Sequence, residues 1–119
     1  MSYDVFFWRE QPGTHLDPDD VLSTLEDTVE MPGIVPLPRD TITSAFRQHF
    51  PDLAVGDAEL EWEGDGSYFQ VGFTFLDEQR VTLSAVNCGY QLLKSPSAMQ
   101  HIAAVASSLG CRFYDPQQR

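Results

Sequence analysis

The sequence predicts a single α+β domain over residues 1–119, with an antiparallel twisted sheet and helices packed on one face. Three observations favour this class. Apolar residues alternate with a period of two from residue 57 to residue 89, as in consecutive strands. Helical periodicity appears in two stretches before this segment and in one after it. The length of 119 residues suits one core, and 42% of the residues are hydrophobic, which is typical of a globular chain.

The chain begins with a predicted strand and helix. The run YDVFFWR at 3–9 is aromatic and β-branched, and its apolar residues occupy both parities, so we expect a strand covered on both faces. The following Pro-Gly pair ends it. Asp17 can cap a helix, and Pro18 suits the first helical position. The apolar stripe of this helix continues to about Val29.

The middle of the chain predicts a loop, a second helix and a meander. The segment MPGIVPLPR at 31–39 has three prolines and predicts an ordered irregular loop. Asp40 is the expected cap of a helix that ends at Pro51. Three strands are predicted at about 57–63, 67–76 and 79–88, joined by short turns.

A third helix and a last strand complete the predicted order. Ser95-Pro96 repeats the signal of a cap followed by proline, and Gly110 is a natural residue to follow a helix end. The run CRFY at 111–114 predicts a short strand. The predicted order is therefore β-α-α-β-β-β-α-β.

The charge restricts the classes of partner. Eighteen acidic against seven basic residues give a net charge of −11. Such a field repels nucleic-acid phosphates and anionic lipid, and it accelerates association with a basic partner. No apolar run reaches the about 20 residues that span a bilayer, and the N-terminus lacks the basic segment of a secretory signal. We therefore expect a cytoplasmic protein, monomeric or weakly dimeric, that binds neither nucleic acid nor membrane.

Motifs for catalysis, cofactors or metals are weak. Cys88 and Cys111 lie in no CxxC motif, and we expect reduced, partly buried thiols. His15, His49 and His101 follow no metal-ligand spacing, and the last two are expected to be polar helix residues. No serine lies in GxSxG, and the GDG at 64–66 is expected to be a turn. The sequence predicts no catalytic residue, metal site or cofactor.

The strongest candidate site is the stretch DAELEWEGDG at 57–66. Alternate side chains of a strand point to the same face, so its carboxylates would project together while Leu60 and Trp62 face the core. Alternate Cα atoms would lie about 6.6–6.8 Å apart, which is too far for two carboxyls to share a proton tightly. The predicted partner-binding residues are Asp57, Glu59, Glu61, Glu63, Asp65, Tyr68 and Gln70.

The same alternation predicts which side chains of the other two meander strands face the core. The residues predicted to face the core are Phe69, Val71, Phe73 and Phe75 on one strand and Val81, Leu83 and Ala85 on the next. Thr82 and Ser84 are predicted to lie outside.

Several functions are compatible with this surface. It is either a solvated sheet face without a role or a face that docks a basic protein, with tyrosine as an anchor. One alternative is a metal-binding protein or small enzyme that uses Asp57, Glu59, Glu61 and a histidine. Another is a regulatory domain with an apolar ligand pocket. A helix surface or the segment 31–39 could dock a partner instead.

Three segments carry a resemblance to a known class of protein. SYDVFFWR at 2–9, EWEGDGSYFQVGF at 61–73 and LGCRFYDPQQR at 109–119 resemble small bacterial immunity proteins of polymorphic toxin systems. The resemblance implies an acidic, single-domain, non-catalytic protein that binds a cognate toxin and occludes its active site. That class has no shared binding motif, so the resemblance transfers no binding residue to this chain.

Overall fold

A computed structural model describes residues 2–64, 67–89, 92 and 96–116 of the chain. The strands are β1 (Ser2–Glu10), β2 (Ile34–Val35), β3 (Leu37–Pro38), β4 (Ala54–Val55), β5 (Glu59–Gly64), β6 (Ser67–Phe75), β7 (Arg80–Gly89) and β8 (Arg112–Tyr114), and the helices are α1 (Pro18–Asp27), α2 (Arg39–His49) and α3 (Pro96–Ser108). All strand pairs are antiparallel. The predicted α+β class is therefore confirmed.

One sheet holds the eight strands in the order β2-β1-β7-β6-β5-β4, with β8 also beside β1 and β3 also beside β7. The predicted meander is β5-β6-β7, and β1 completes the centre of the sheet. The strands β2, β3 and β4 were not predicted, and two of them lie in the segment 31–39 that was expected to be irregular. Each has only two residues, which is too short to produce a periodic pattern.

Apolar side chains cover β1 on both faces, as predicted. Val5 and Phe7 belong to the main core beneath α2 and α3, whereas Trp8 belongs to a second core with Val21 and Leu25 of α1. Successive residues of a strand point to opposite faces. The predicted placement of helices on one face therefore holds for α2 and α3, while α1 covers the opposite face because β1 presents large apolar side chains there.

A bulge in β7 changes the predicted faces of that strand. Thr74 pairs with Leu83 and Phe75 with Val81, so one residue of β7 is left without a partner in the ladder. The extra residue reverses the parity of the strand. Val81 consequently contacts the main core and Leu83 the second core.

The predicted exposure of Thr82 and Ser84 is therefore wrong. Their exposed fractions are 3% and 2%. The hydroxyl of Thr82 is satisfied in this position, since it donates to the carbonyl of Val29 at 2.9 Å. A buried hydroxyl with such a partner avoids most of the cost of desolvation.

The helix ends follow most of the sequence signals. Asp17 caps α1 and accepts a hydrogen bond from the Asp19 N–H at 2.9 Å. α2 begins one residue before the predicted cap, so Asp40 lies in its first turn and Pro38 precedes it without a side-chain cap. Gly110 follows α3 with a φ of 70°, the left-handed conformation that glycine adopts without strain. The predicted cap Ser95 lies outside the described residues.

A polar cluster joins β1, β8 and the loop before α1. The carboxylate of Glu10 accepts hydrogen bonds from the Leu16 N–H at 3.0 Å and from Arg112 Nη1 at 2.9 Å. Trp8 donates to the same oxygen from Nε1 at 3.4 Å. Arg112 also donates to the Leu16 carbonyl at 2.6 Å. These contacts hold that loop at the end of the sheet opposite β5.

None of the described helices is long and apolar enough to cross a membrane.

Candidate acidic docking face

Three of the predicted carboxylates lie side by side on β5. In the β5–β6 register, Glu59 lies opposite Gly72, Glu61 opposite Gln70, and Glu63 opposite Tyr68. Leu60 and Trp62 alternate with the glutamates and contact the main core. Paired residues of neighbouring strands point to the same face. The structure therefore brings together five of the seven predicted residues: Glu59, Glu61, Glu63, Tyr68 and Gln70.

This side of the sheet is only half covered by α1. Among the described residues, the core beneath α1 draws on β1, β2, β7 and β8 but on no residue of β5 or β6. The side chains of Glu59, Glu61 and Gln70 are half-buried, and Glu63 is exposed. The half of the sheet farther from α1 thus presents polar side chains to solvent.

Gln70 links the carboxylates of β5. Its Nε2 donates a hydrogen bond to Glu59 Oε2 and lies 3.5 Å from Glu61 Oε1. Tyr68 in turn donates from its hydroxyl to Gln70 Oε1 at 3.4 Å. An amide group between two carboxylates offsets part of their repulsion without neutralising either charge. The network therefore holds the acidic side chains in place and leaves the surface negative.

The negative surface extends across the sheet to β1. Asp4 and Asn87 are partners in the β1–β7 register, and Asn87 in turn faces Gln70 on β6. Asn87 Nδ2 donates to Asp4 Oδ1 at 2.7 Å. We call the seven residues Asp4, Glu59, Glu61, Glu63, Tyr68, Gln70 and Asn87 the acidic face.

Asp4 and Asn87 were missing from the predicted set. They are 83 positions apart, and the pattern within β5 contains no information about which strands flank it. A signal that pairs β1 with β7 would have been needed to find them.

The charge of the acidic face affects the phenol of Tyr68. Partial burial raises the pKa of Tyr68, and the negative charges of Glu61, Glu59 and Glu63 raise it further. A tyrosine phenol is protonated at neutral pH even without this shift, so Tyr68 is a hydrogen-bond donor there. A tyrosine beside carboxylates can both donate to a partner and offer it an aromatic surface.

A shallow notch lies within the acidic face. Gly72 pairs with Glu59 on one side and with Ala85 on the other, and Ala85 pairs with Phe6. A Cβ atom added at Gly72 would meet no atom within 4 Å. Gly72 has no side chain and its partner Ala85 has only a methyl group. Open space is therefore left between Gln70 and Thr74, where a partner's side chain can contact the sheet directly.

One predicted residue, Asp57, does not join the acidic face. β5 begins at Glu59, so Asp57 lies in the turn between β4 and β5, and the alternation does not extend to it. The guanidinium of Arg39 donates to the backbone carbonyls of Gly56 and Asp57. Asp57 thus helps to anchor the turn that precedes the acidic strand. Asp65 lies outside the described residues.

The described ion pairs leave the acidic face uncompensated. In the parts of the chain that the structure covers, Arg80 pairs with Asp77 at 2.7 Å and Arg112 pairs with Glu10 at 2.9 Å. Neither pair involves a carboxylate of the acidic face. The like charges of Glu59, Glu61 and Glu63 are therefore available to an external cation.

The alternative site of Asp57, Glu59, Glu61 and a histidine does not assemble. His49 and His101 line a cleft with Trp62, on the side of the sheet opposite the glutamates. Within the described ranges, no group of three or more histidine, cysteine, aspartate or glutamate residues is placed to hold a metal ion. The carboxylates of β5 therefore have no histidine partner here.

The two cysteines are free thiols in the structure. Burial raises the pKa of Cys88 to about 12, with Asp4 and Asp115 adding to the effect, and burial likewise raises the pKa of Cys111 to about 12. A thiol must ionise to act as a nucleophile. Neither cysteine is prepared for nucleophilic chemistry.

His49 and His101 are neighbours, although nothing in the sequence indicated it. His49 ends α2 and His101 lies in α3, and their Nδ1 atoms are 2.9 Å apart. The packing of α2 against α3 creates this contact over 52 positions of sequence. It lies away from the acidic face and belongs to a different part of the surface.

Comparison with known proteins adds no assignment, because no protein-family model, curated protein or solved structure matches the chain. Function must therefore be inferred from the arrangement of the residues themselves. The acidic face brings seven polar side chains together on one side of the sheet.

Proposed function

We propose that the protein is an immunity-type protein that binds a cognate bacterial toxin domain and neutralises it by occluding its active site. The observation that carries the proposal is the open half of the sheet, where an ordered acidic face lies uncovered on a chain with a net charge of −11. The resemblance of three sequence segments to such proteins points to the same class. The protein acts in the cytoplasm of the cell that must be protected.

The mechanism is electrostatic attraction followed by steric occlusion. Glu59, Glu61 and Glu63 attract the basic residues with which a toxin domain holds an anionic substrate, for example a nucleic acid or nucleotide. Tyr68 provides an aromatic anchor of the kind that dominates binding energy in many interfaces. The notch at Gly72 and Ala85 accepts one side chain of the toxin between the charged groups.

The ordering of the acidic face before binding favours tight association. Gln70 already holds Glu59 by a hydrogen bond, and Asn87 holds Asp4. Immobilising a flexible side chain at an interface costs about 0.5–1.5 kcal/mol, so part of this cost is met in the free protein. The sheet backbone beneath these residues is fixed by the β5–β6–β7 ladder.

The direct test combines partner binding with charge reversal. The product of the adjacent gene is co-expressed with this protein, and a complex that co-elutes in size-exclusion chromatography is expected. The double variant Glu59→Lys/Glu61→Lys should then lower the association rate at least about tenfold at low salt, since surface charges act mainly on the encounter rate. Raising the ionic strength should shrink the difference between variant and wild type.

A matched control separates the acidic face from total charge. Glu26→Lys/Glu78→Lys makes the same change in net charge at two exposed positions outside the face. We expect this control to associate at a rate within about threefold of the wild type. It weakens only the long-range attraction that comes from net charge and leaves the acidic face intact. Equal losses in both double variants would refute docking through the acidic face. The absence of any complex with the neighbouring gene product would refute the immunity function.

A further inference from the structure

The contact between His49 and His101 places two imidazole nitrogens close enough together to bind one metal ion. Their Nδ1 atoms are 2.9 Å apart and their ring planes are inclined at 62°. With both rings neutral, one Nδ1 must carry the proton and donate it to the other. A metal ion bound by both Nδ1 atoms takes the place of this hydrogen bond, and the proton of the donor ring moves to Nε2 of the same ring.

The geometry points to a two-histidine site that binds a divalent transition-metal ion and clamps α2 to α3. Imidazole nitrogen is a preferred ligand of Ni²⁺, Cu²⁺ and Zn²⁺ and a poor ligand of Mg²⁺ and Ca²⁺. The site lies on the helical side of the sheet and is independent of the acidic face and of the proposed function.

The separation of the two nitrogens selects among these metals. With metal–nitrogen bonds of about 2.0–2.1 Å, two atoms 2.9 Å apart subtend an angle of about 90° at a shared ion. This is the angle between neighbouring ligands in square-planar and octahedral complexes, which Cu²⁺ and Ni²⁺ adopt. Tetrahedral Zn²⁺ needs a separation of about 3.3–3.4 Å, so the helices or rings must move apart to bind it.

The surrounding side chains hold the pair in place. The ring of His101 packs edge-on against Phe50 at 6.0 Å between centroids, and Phe50 packs against Trp62 and Phe69 in the core. The ring of His49 packs edge-on against His101 at 5.1 Å between centroids, so His101 links His49 to the buried phenylalanine. The free-energy cost of ordering the two ligands is therefore largely met before metal arrives.

The coordination sphere is open on the solvent side. His49 is half-buried and His101 is exposed, and Asp52 lines the same cleft. No third ligand is in place among the described residues, so water completes the coordination. Two protein ligands give a weaker site than the three or four of catalytic and structural zinc sites.

The test measures the Tm of the untagged protein with and without Ni²⁺ at pH 8, because only the neutral form of imidazole binds metal. At a Ni²⁺ concentration about 100-fold above the dissociation constant, we expect the Tm to rise by at least about 4 °C. The same concentration of Mg²⁺ should leave the Tm unchanged. Ni²⁺ is preferred to Cu²⁺ as the probe because it does not oxidise thiols.

Variants at the three histidines identify the ligands. His49→Gln and His101→Gln should each abolish the rise in Tm, whereas His15→Gln, at a histidine outside the pair, should retain it fully. A second measurement, Ni²⁺ binding by isothermal titration calorimetry, should show one site in the wild type and none in either pair variant. Retained binding in His49→Gln or His101→Gln, or no Ni²⁺ binding by the wild type, would overturn the proposal.

Discussion

Gln70 lies directly across the β5–β6 ladder from Glu61, with its Nε2 3.5 Å from Glu61 Oε1. Gln70→Glu removes this amide donor and adds a carboxylate opposite Glu61 and beside Glu59. Like charges that face each other across a sheet are destabilising, so we expect the free energy of unfolding to fall by about 1 kcal/mol. Urea denaturation at low salt measures this loss, and high salt should recover part of it.

The control for added charge is Gln100→Glu, at an exposed position on α3. It changes the net charge equally but places the new carboxylate on the helical side of the molecule. We expect it to change the free energy of unfolding by less than about 0.5 kcal/mol. Equal effects of the two variants would show that the loss reflects total charge and not the network around Gln70.

Gly64 lies under the ring of Trp62. A Cβ atom added at Gly64 would approach Trp62 Cζ2 to 2.7 Å. The ring cannot simply swing away, because it stacks on Phe69 at 5.5 Å and contacts Phe50 at 5.1 Å between centroids. We therefore expect Gly64→Ala to lower the free energy of unfolding by about 1–3 kcal/mol, as overpacking generally does. Urea denaturation followed by tryptophan fluorescence measures it.

Gly72→Ala provides the comparison on the open side of the sheet. Its new methyl group meets no atom within 4 Å, so we expect stability to remain equal or to rise by up to about 1 kcal/mol. The same methyl group partly fills the notch in the acidic face. If the proposed function is correct, this variant should bind the toxin partner more weakly while remaining fully folded. Destabilisation of Gly72→Ala comparable to that of Gly64→Ala would contradict the open space beside Gly72.

Local patterns were sufficient to predict the long elements. β1, β5, β6 and the helices each contain enough residues for a period of two or 3.6 to appear, and Asp17 and Gly110 mark helix ends through contacts within a few residues. The bulge in β7 was not predictable in this way. It depends on which residues of β6 and β7 pair, and a single extra residue there reversed the assigned faces of Leu83 and Ser84.

The candidate site was predictable only where it lies on one hairpin. Glu59, Glu61 and Gln70 fall on neighbouring strands joined by a short turn, so alternation alone placed them together. The pairs Asp4–Asn87 and His49–His101 span 83 and 52 positions. Such contacts follow from strand order and helix packing, which no local pattern contains. Asp57 does not continue the row of β5 glutamates, because β5 begins at Glu59 and Asp57 lies in the preceding turn, where Arg39 donates to its backbone carbonyl.

The thiols of Cys88 and Cys111 should be unreactive in the folded protein. With a pKa of about 12 for each, the thiolate fraction at pH 8 is roughly a thousandfold below that of a free cysteine, whose pKa is about 8.5. Titration with a chromogenic disulfide reagent should show no rapid reaction in buffer and two reactive thiols in denaturant. Rapid native reaction of either cysteine would contradict its burial.

Glu10 should make stability depend on acid pH. Burial raises the pKa of Glu10, but the hydrogen bonds from the Leu16 N–H, Arg112 and Trp8 lower it more, so the net pKa lies below its ordinary value. The ionised carboxylate therefore stabilises the fold at neutral pH, and this contribution is lost as the pH falls through the folded pKa. We expect Glu10→Gln to cost about 1–3 kcal/mol at pH 7, with the difference from wild type shrinking below pH of about 4.

Glu26→Gln on the exposed side of α1 should change stability by less than about 0.5 kcal/mol. Urea denaturation from pH 7 to pH 3 measures the difference in free energy of unfolding between Glu10→Gln and wild type. A difference that stays constant over this range would show that packing, and not the charge of Glu10, holds the loop before α1.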